Sequence, residues 1–329
     1  MAEGTTGLNT GAVTEEKKRP FLIDVATRMV KEKPLGTVGA VIVLILVVTG
    51  IFADLKWLGM PEIGLAPYGY NEVWVGGKLD TPSAANWLGT DHVGRDLLSR
   101  IVHGARVSMS VGLWVSIIST AISAAIGLIS GYLGGRADII IQRFVDAWMC
   151  FPGLFIILTM MAIVGPGVLQ VIIVLGILYG ISGSRTVRSA VISIKANVYV
   201  EAARSIGCST GKVLLRHILP NIMAPIIIVF TTRMGGAILA EASISFLGYG
   251  IPPPIPSWGQ MLSGAGRRYM LLAPWMAIWP GLALSVVVYG INMFGDALRD
   301  LLDPRMRGGL GRYSGVTRKM PKQQTRPAA

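Results

Sequence analysis

Apolar residues are not spread evenly along this chain. They gather into runs about as long as a bilayer is thick, separated by polar stretches rich in glycine and proline. The first run, Leu35 to Ala53, has 19 residues, which at ~1.5 Å each cover roughly 28 Å, close to the hydrocarbon thickness of a bilayer. Further runs predict spans at Val107–Tyr132, about Phe144–Val164, Val168 to about Gly183, Ile222–Leu247 and Pro274–Phe294. Gly127 and Gly131 in the second span, and Gly176 and Gly180 in the fourth, are each four apart. Each pair therefore shares one helical face and lets a neighbouring backbone come close. Asp146 and Pro152 lie near one end of the third span, and Pro225, Arg233 and Glu241 interrupt the fifth.

The stretches between the runs have their own character. Residues 1–34 form a polar tail in which Phe21–Val30 alone reads as a short amphipathic helix. No small-residue cleavage pattern follows the first span, which therefore reads as a retained span and not a signal peptide. Residues 54–106 form a long polar loop containing Trp57, Trp74 and Trp87. Within it, Leu88 to Asp96 is a glycine-punctuated turn, and Asp96 opens a short helix over Leu97–His103. Gly134–Asp138 and Gly165–Gly167 are turns. Residues 248–273, with Pro252, Pro253, Pro254 and Pro256, are too proline-rich to be helical throughout. Five spans fall in a core region, 107–300, and a basic tail, 301–329, follows.

Composition agrees with a membrane protein. Hydrophobic residues make up 52% of the chain and charged ones 15%, against about 25% charged in soluble domains, and the mean hydropathy is +0.58. The net charge of +12 raises nucleic acid as a partner. The basic residues, however, flank the apolar runs in the two tails and between Arg185 and Arg216, and do not form one stripe with interleaved aromatics. Nucleic acid is set aside. The same distribution places both termini and the 194–221 segment in the cytoplasm, and the 54–106 loop outside. Cys150 and Cys208 have no C-x-x-C spacing, and His92, His103 and His217 are scattered, so neither a disulfide framework nor a metal site is indicated.

One polar island, Glu201 to Asn221, needs an explanation. Gly207 to Val213 looks like a nucleotide-binding loop, but three residues, not four, separate its glycines, and Val213 stands where the magnesium-binding Ser or Thr belongs. The chain is expected to have no nucleotide site and no cofactor of its own. The island reads instead as helix–turn–helix. Asn197 caps Val198–Ile206, with Glu201 near the positive end of the dipole, and Ala202 and Ala203 leave room for another protein. Gly207 ends the first helix, Ser209 caps the second, and Pro220 stops it. Two such short helices cannot bury a core alone and want a partner.

Glu201-Ala202-Ala203, three residues, Gly207 and then Leu219-Pro220 resemble the EAA loop of permease subunits in binding-protein-dependent ABC importers; His217 departs from that pattern. Arg216 to Asn221, Leu88–Asp91 with Gly94–Asp96, Ser245–Gly248, Pro256–Gly259, Pro280–Leu282 and Gly295–Asp300 with Leu302–Pro304 resemble the branch that imports dipeptides, oligopeptides and nickel. The tail, single span and long loop resemble its C-type permease. The resemblance implies an all-α polytopic membrane protein with six transmembrane helices and the type I ABC importer permease fold. It also implies a coupling helix at Glu201–Gly207 set in a groove of an ATPase subunit, and as partners a B-type permease, two ATP-binding subunits that hold ATP and magnesium, and an extracytoplasmic binding protein. Nickel chelates, glutathione or opines are alternative cargoes, and a self-contained secondary transporter or a membrane enzyme are alternatives of another class. Few intramembrane acids, no inverted repeat and no His/Asp/Ser constellation speak against those two.

Arg233 lies near the middle of its span, where arginine costs roughly 2.5 to 3.5 kcal/mol on insertion scales. It either meets a substrate carboxylate or pairs with an acid. Glu241, about 80° around the same helix, serves as a gate, a docking residue or a packing hydrogen-bond partner.

Overall fold

A computed structural model describes residues 21–53 and 64–302. Most of the tail 1–34, residues 54–63 with Trp57, and all but the first two residues of the basic tail lie outside the described residues. What is described is almost wholly helical: α1 (Phe21–Glu32), α2 (Pro34–Phe52), α3 (Leu97–Leu133), α4 (Gly135–Met149), α5 (Gly153–Val164), α6 (Val168–Lys195), α7 (Val198–Ser205), α8 (Thr210–Lys212), α9 (Met223–Phe246), α10 (Trp258–Leu262), α11 (Gly264–Tyr269) and α12 (Trp275–Leu302). A π-helical turn, Val213–Ile218, and a 3-10 turn, Leu219–Ile222, join α8 to α9.

Five of these segments are long and apolar enough to cross a membrane: α2, α3, α6, the stretch from α8 through α9, and α12. The sixth span exists only if α4 and α5 are taken together, and that pair is bent by 86°. The third span expected at about Phe144–Val164 therefore begins earlier, at Gly135, and is sharply bent. The break falls at Cys150–Pro152, where proline lacks an N–H and pushes the residue before it out of the α region. The α4 half is polar on one side, and that side is fastened to α6: Asp138 accepts from Arg188 Nε at 2.7 Å, and Arg185 pairs with Asp146.

Hydropathy also understates the helix lengths. The Leu97–His103 helix does not stop before the second span but runs into it, making 37 continuous residues. At ~1.5 Å each these exceed the bilayer core by several turns. The helix starts where it does because Asp96 accepts from Ser99 N and Ser99 Oγ, both at 2.7 Å, and is held by Asn86 Nδ2 at 2.9 Å. Likewise α6 continues twelve residues beyond Gly183, to Lys195.

The centre of the fold is the parallel pair α3 and α6, meshed through the glycines noted above. A Cβ on Gly127 would stand 2.7 Å from Val187 Cβ and 2.9 Å from the backbone N of Arg188. On Gly176 it would stand 2.7 Å from Ile118 Cγ2, and on Gly180 2.6 Å from Ile122 Cβ. Each helix therefore offers its small residues to the other's branched ones, and Ser123 Oγ adds a hydrogen bond to the Gly180 carbonyl at 2.8 Å. Packed on this pair are α9 and α5, which build a core with Val111, Val115, Met161, Leu175 and Ile244. The helices α2 and α12 pack along the other side, sharing a core with Leu97, Ile238 and Trp258.

The loop before α3 is stitched at one end of the bundle. Asp91 accepts from Val93 N, Arg95 N and Arg95 Nε at 2.7–3.0 Å, and Gly89 and Gly94 take φ of 81° and 76°. Trp275 Nε1 donates to Thr90 O, tying the loop to α12, and Trp258 Nε1 donates to Ile101 O, tying α10 to the first turns of α3. Burial lowers the pKa of His92 in this loop below its ordinary value, so the ring is neutral at pH 7.

Candidate functional site: the helix between the fourth and fifth spans

At the opposite end of the bundle, α7 stands outside the spans. Its C-terminus is closed by a Schellman motif. The Cys208 N–H donates to Ala203 O at 3.1 Å, the Gly207 N–H donates to Arg204 O at 2.9 Å, and Gly207 takes a φ of 79°, which an L side chain rarely adopts. The start differs from expectation. Asn197 has the extended backbone of an N-cap, but its side chain donates to Ile194 O at 3.0 Å and does not accept from α7. Ser209 likewise makes no side-chain cap.

The two faces of α7 have different work. Val200 and Ala203 are buried; Val200 joins Val213, Ile218, Ile222 and Tyr132 in a core cluster between α7 and the spans. Ala203 therefore faces inward, and of the expected small-residue pair only Ala202 faces out. On the outward side are Glu201, Ala202 and Gly207, with Val198 at 81% and Ile206 at 80% exposure. Leu219 is half-buried and Pro220 exposed. Pro220 does not end a helix, contrary to expectation. It sits in the 3-10 turn, and Pro225 falls in the first turn of α9, where a missing N–H breaks no intrahelical bond. The chain therefore passes from α8 to α9 as one rod, its irregularity confined to the π and 3-10 turns.

Tyr132, to which the sequence assigned no role, is the second tether. Arg204 Nε donates to its hydroxyl at 3.1 Å, and Lys195 Nζ donates to its carbonyl at 2.6 Å. The two cations lie 4.8 and 5.6 Å from the ring centroid. One aromatic residue thereby ties α7 and the end of α6 to the end of α3. A tyrosine closing an apolar run carries no sequence signal for such a role.

The two ionisable residues of the fifth span have different surroundings. Arg233 is half-buried. Its guanidinium lies 5.1 Å from the Tyr179 ring centroid, and Nη2 is 3.4 Å from Ser182 Oγ. Glu241 is fully buried near the other end of α9. Oε1 accepts from Ser245 Oγ at 2.6 Å, and Ser245 Oγ in turn accepts from Ile251 N at 3.1 Å, so the carboxyl group pins the chain as it leaves α9.

Comparison with known proteins gives this arrangement a family. The profile described as "Binding-protein-dependent transport system inner membrane component" matches residues 123–308, which include the inter-span helix and both flanking spans. The dipeptide transport system permease protein DppC of Alkalihalophilus pseudofirmus is 38% identical over 86% of this chain and 90% of its own length. The glutathione transport system permease protein GsiD of Pectobacterium atrosepticum is 41% identical over 69% and 75%. A chain from inward-facing conformations of the MetNI methionine ABC transporter superposes with a TM-score of 0.51 at 17% identity, covering 62% of this chain and 96% of that one, a likeness of fold. The chain therefore belongs to the binding-protein-dependent transport system inner membrane components, as a multi-pass permease subunit of an ABC importer.

Proposed function

We propose that this permease imports peptides, forming half of a translocation pathway whose other half is a second, B-type permease. Two ATP-binding subunits hold ATP and magnesium and drive it, and an extracytoplasmic binding protein delivers the cargo. Relatives that carry dipeptides and glutathione, itself a small peptide, support this cargo class. In this reading the termini and α7 are cytoplasmic, 54–106 is extracytoplasmic, 107–300 is the core permease domain, and 301–329 is a basic cytoplasmic tail. The excess of basic residues in the tails and between Arg185 and Arg216 supports that orientation.

The observation that carries the mechanism is the two-sided construction of α7. Its inner face is fixed to α3, α6 and the rod leading into α9, while Val198 at its start and Ile206 at its C-cap are left exposed. Exposed apolar side chains on a capped, rigidly held helix suit a groove in another protein. Glu201, Ala202 and Gly207 lie on the docking side, and Leu219 and Pro220 on the lever to α9. A push on α7 therefore reaches three spans at once. Glu241 serves packing at the far end of α9.

Reconstitution tests the reading. In proteoliposomes holding both permeases, both ATPases and the binding protein, labelled dipeptide is expected to accumulate only with ATP and magnesium inside the ATPase-facing compartment. This chain alone is expected to move none, and uptake by the chain alone would establish a secondary transporter.

A further inference from the structure

Several charged groups of this bundle that lie away from full solvent have a partner of opposite sign: Asp138 with Arg188, Asp91 with Arg95, Lys33 with Asp300. Arg233 does not. Among the described residues no carboxylate pairs with it, and its contacts are one aromatic ring and one hydroxyl at the long limit of a hydrogen bond. A guanidinium has five N–H donors in a planar fork, and this one has committed only one of them, weakly. An arginine at mid-span without such compensation must face protein or water and not lipid.

The surroundings are open on one side. Tyr179 and Ser182 come from α6 and are half-buried; Thr232 and Gly236 on α9 are exposed. Nothing lies within 4 Å of the position that a Cβ on Gly236 would take, and the Tyr179 hydroxyl donates to the Gly236 carbonyl at 3.4 Å. Arg233 thus sits where α6 and α9 meet, against the Tyr179 ring and the Ser182 hydroxyl, with exposed Thr232 and Gly236 beside it.

We propose that Arg233, positioned by Tyr179 and Ser182, is a carboxylate-accepting station in the translocation pathway, taking the C-terminal carboxylate of a peptide as it passes. This rests on the peptide-importer reading. The fork matches a carboxylate in two parallel hydrogen bonds. The Tyr179 face holds the cation in place while the station is empty. The sparse set of protein contacts keeps the station weak enough to release its ligand, as a conducting path requires.

Two measurements on the complete complex test it. In the first, Arg233→Gln is expected to lower the maximal uptake rate of Ala-Phe about tenfold, the scale of one lost hydrogen bond to a charged group. ATPase activity stimulated by the loaded binding protein should be unchanged, and Arg233→Lys should recover part of the rate. In the second, Ser182→Cys in a Cys150→Ser, Cys208→Ser background is treated with methanethiosulfonate reagents. The anionic ethylsulfonate is expected to react faster with the introduced thiol than the cationic trimethylammonium, and Arg233→Gln to reduce that ratio about tenfold. No ATP-dependent uptake by the parent complex would overturn the importer reading itself. A transporting parent matched by Arg233→Gln, a thiol at position 182 inert to both reagents, or a ratio indifferent to Arg233 would overturn the station and leave the importer standing. Arg233→Gln lowering uptake and stimulated ATPase alike would overturn it too, and assign Arg233 to an acid of the second permease instead.

Discussion

Gly127→Leu is expected to prevent the permease from accumulating as a stable complex. The α3–α6 interface has no slack at this position. The new Cβ alone would meet Val187 Cβ at 2.7 Å and the backbone N of Arg188 and O of Ser184 at 2.9 Å. Two of those three atoms are backbone and cannot rotate away, so the helices must separate. Overpacking of that kind costs about 3 kcal/mol, the upper end of the usual range, which is a large share of a typical folding free energy. Separation would also pull Ser123 Oγ off the Gly180 carbonyl, a bond that crosses the same interface, and loosen the Asp138–Arg188 pair that fastens α4 to α6. The yield and thermal midpoint of the detergent-purified complex would read this. Gly211→Leu serves as the control, because nothing lies within 4 Å of its Cβ position, and it should leave both unchanged.

Gly207→Pro is expected to have the opposite profile, normal assembly with uptake at least tenfold down. Proline fixes φ near −65°, whereas Gly207 holds 79°. Proline also removes the N–H that closes on Arg204 O. The Schellman end of α7 is lost, and the exposed helix can no longer be held at one angle to the rod that follows. No neighbour lies within 4 Å of the Gly207 Cβ position, so the damage stays local and the spans remain packed. Glu201→Arg reaches the same function by another route. It leaves the backbone intact and reverses the charge in the exposed first turn of α7, where a negative side chain also suits the helix dipole. Uptake and ATP hydrolysis should be measured together, because impaired docking lowers transport per ATP before it lowers the amount of complex. Wild-type uptake in both variants would remove α7 from the mechanism.

The sequence was most informative where a local property decides the outcome. Runs of apolar residues located the spans. The glycine pairs announced close helix packing, and Gly207 marked the end of a helix closed through a positive φ that glycine favours. It was least informative about where helices end, because hydropathy records contact with lipid while a helix continues until a cap or a break. For that reason Leu97–Leu133 and Val168–Lys195 both overrun the runs that announced them. The 86° bend at Cys150–Pro152 was out of reach for a different reason. Proline permits a break, but the direction of α4 is set by Arg185 and Arg188 on a helix more than thirty residues away. The roles of Ala203 and Tyr132 were hidden in the same way. Which side of α7 faces inward depends on Val213, Ile218 and Ile222 coming back against it, and no spacing within α7 reveals that.

In the proposed mechanism, coupling depends on one contact, the outward face of α7 against an ATP-binding subunit. A photo-crosslinking amino acid placed at Ile206, 80% exposed on that face, tests it directly. Trp74, 68% exposed at the opposite end of the bundle, serves as the comparison site. In membranes holding the whole complex, the probe at Ile206 is expected to capture an ATP-binding subunit, with a yield that changes when ATP is added, and the probe at Trp74 is expected never to do so. Capture of the ATPase from Trp74, or none from Ile206 in a complex that still transports, would contradict both the docking site and the orientation proposed for this permease.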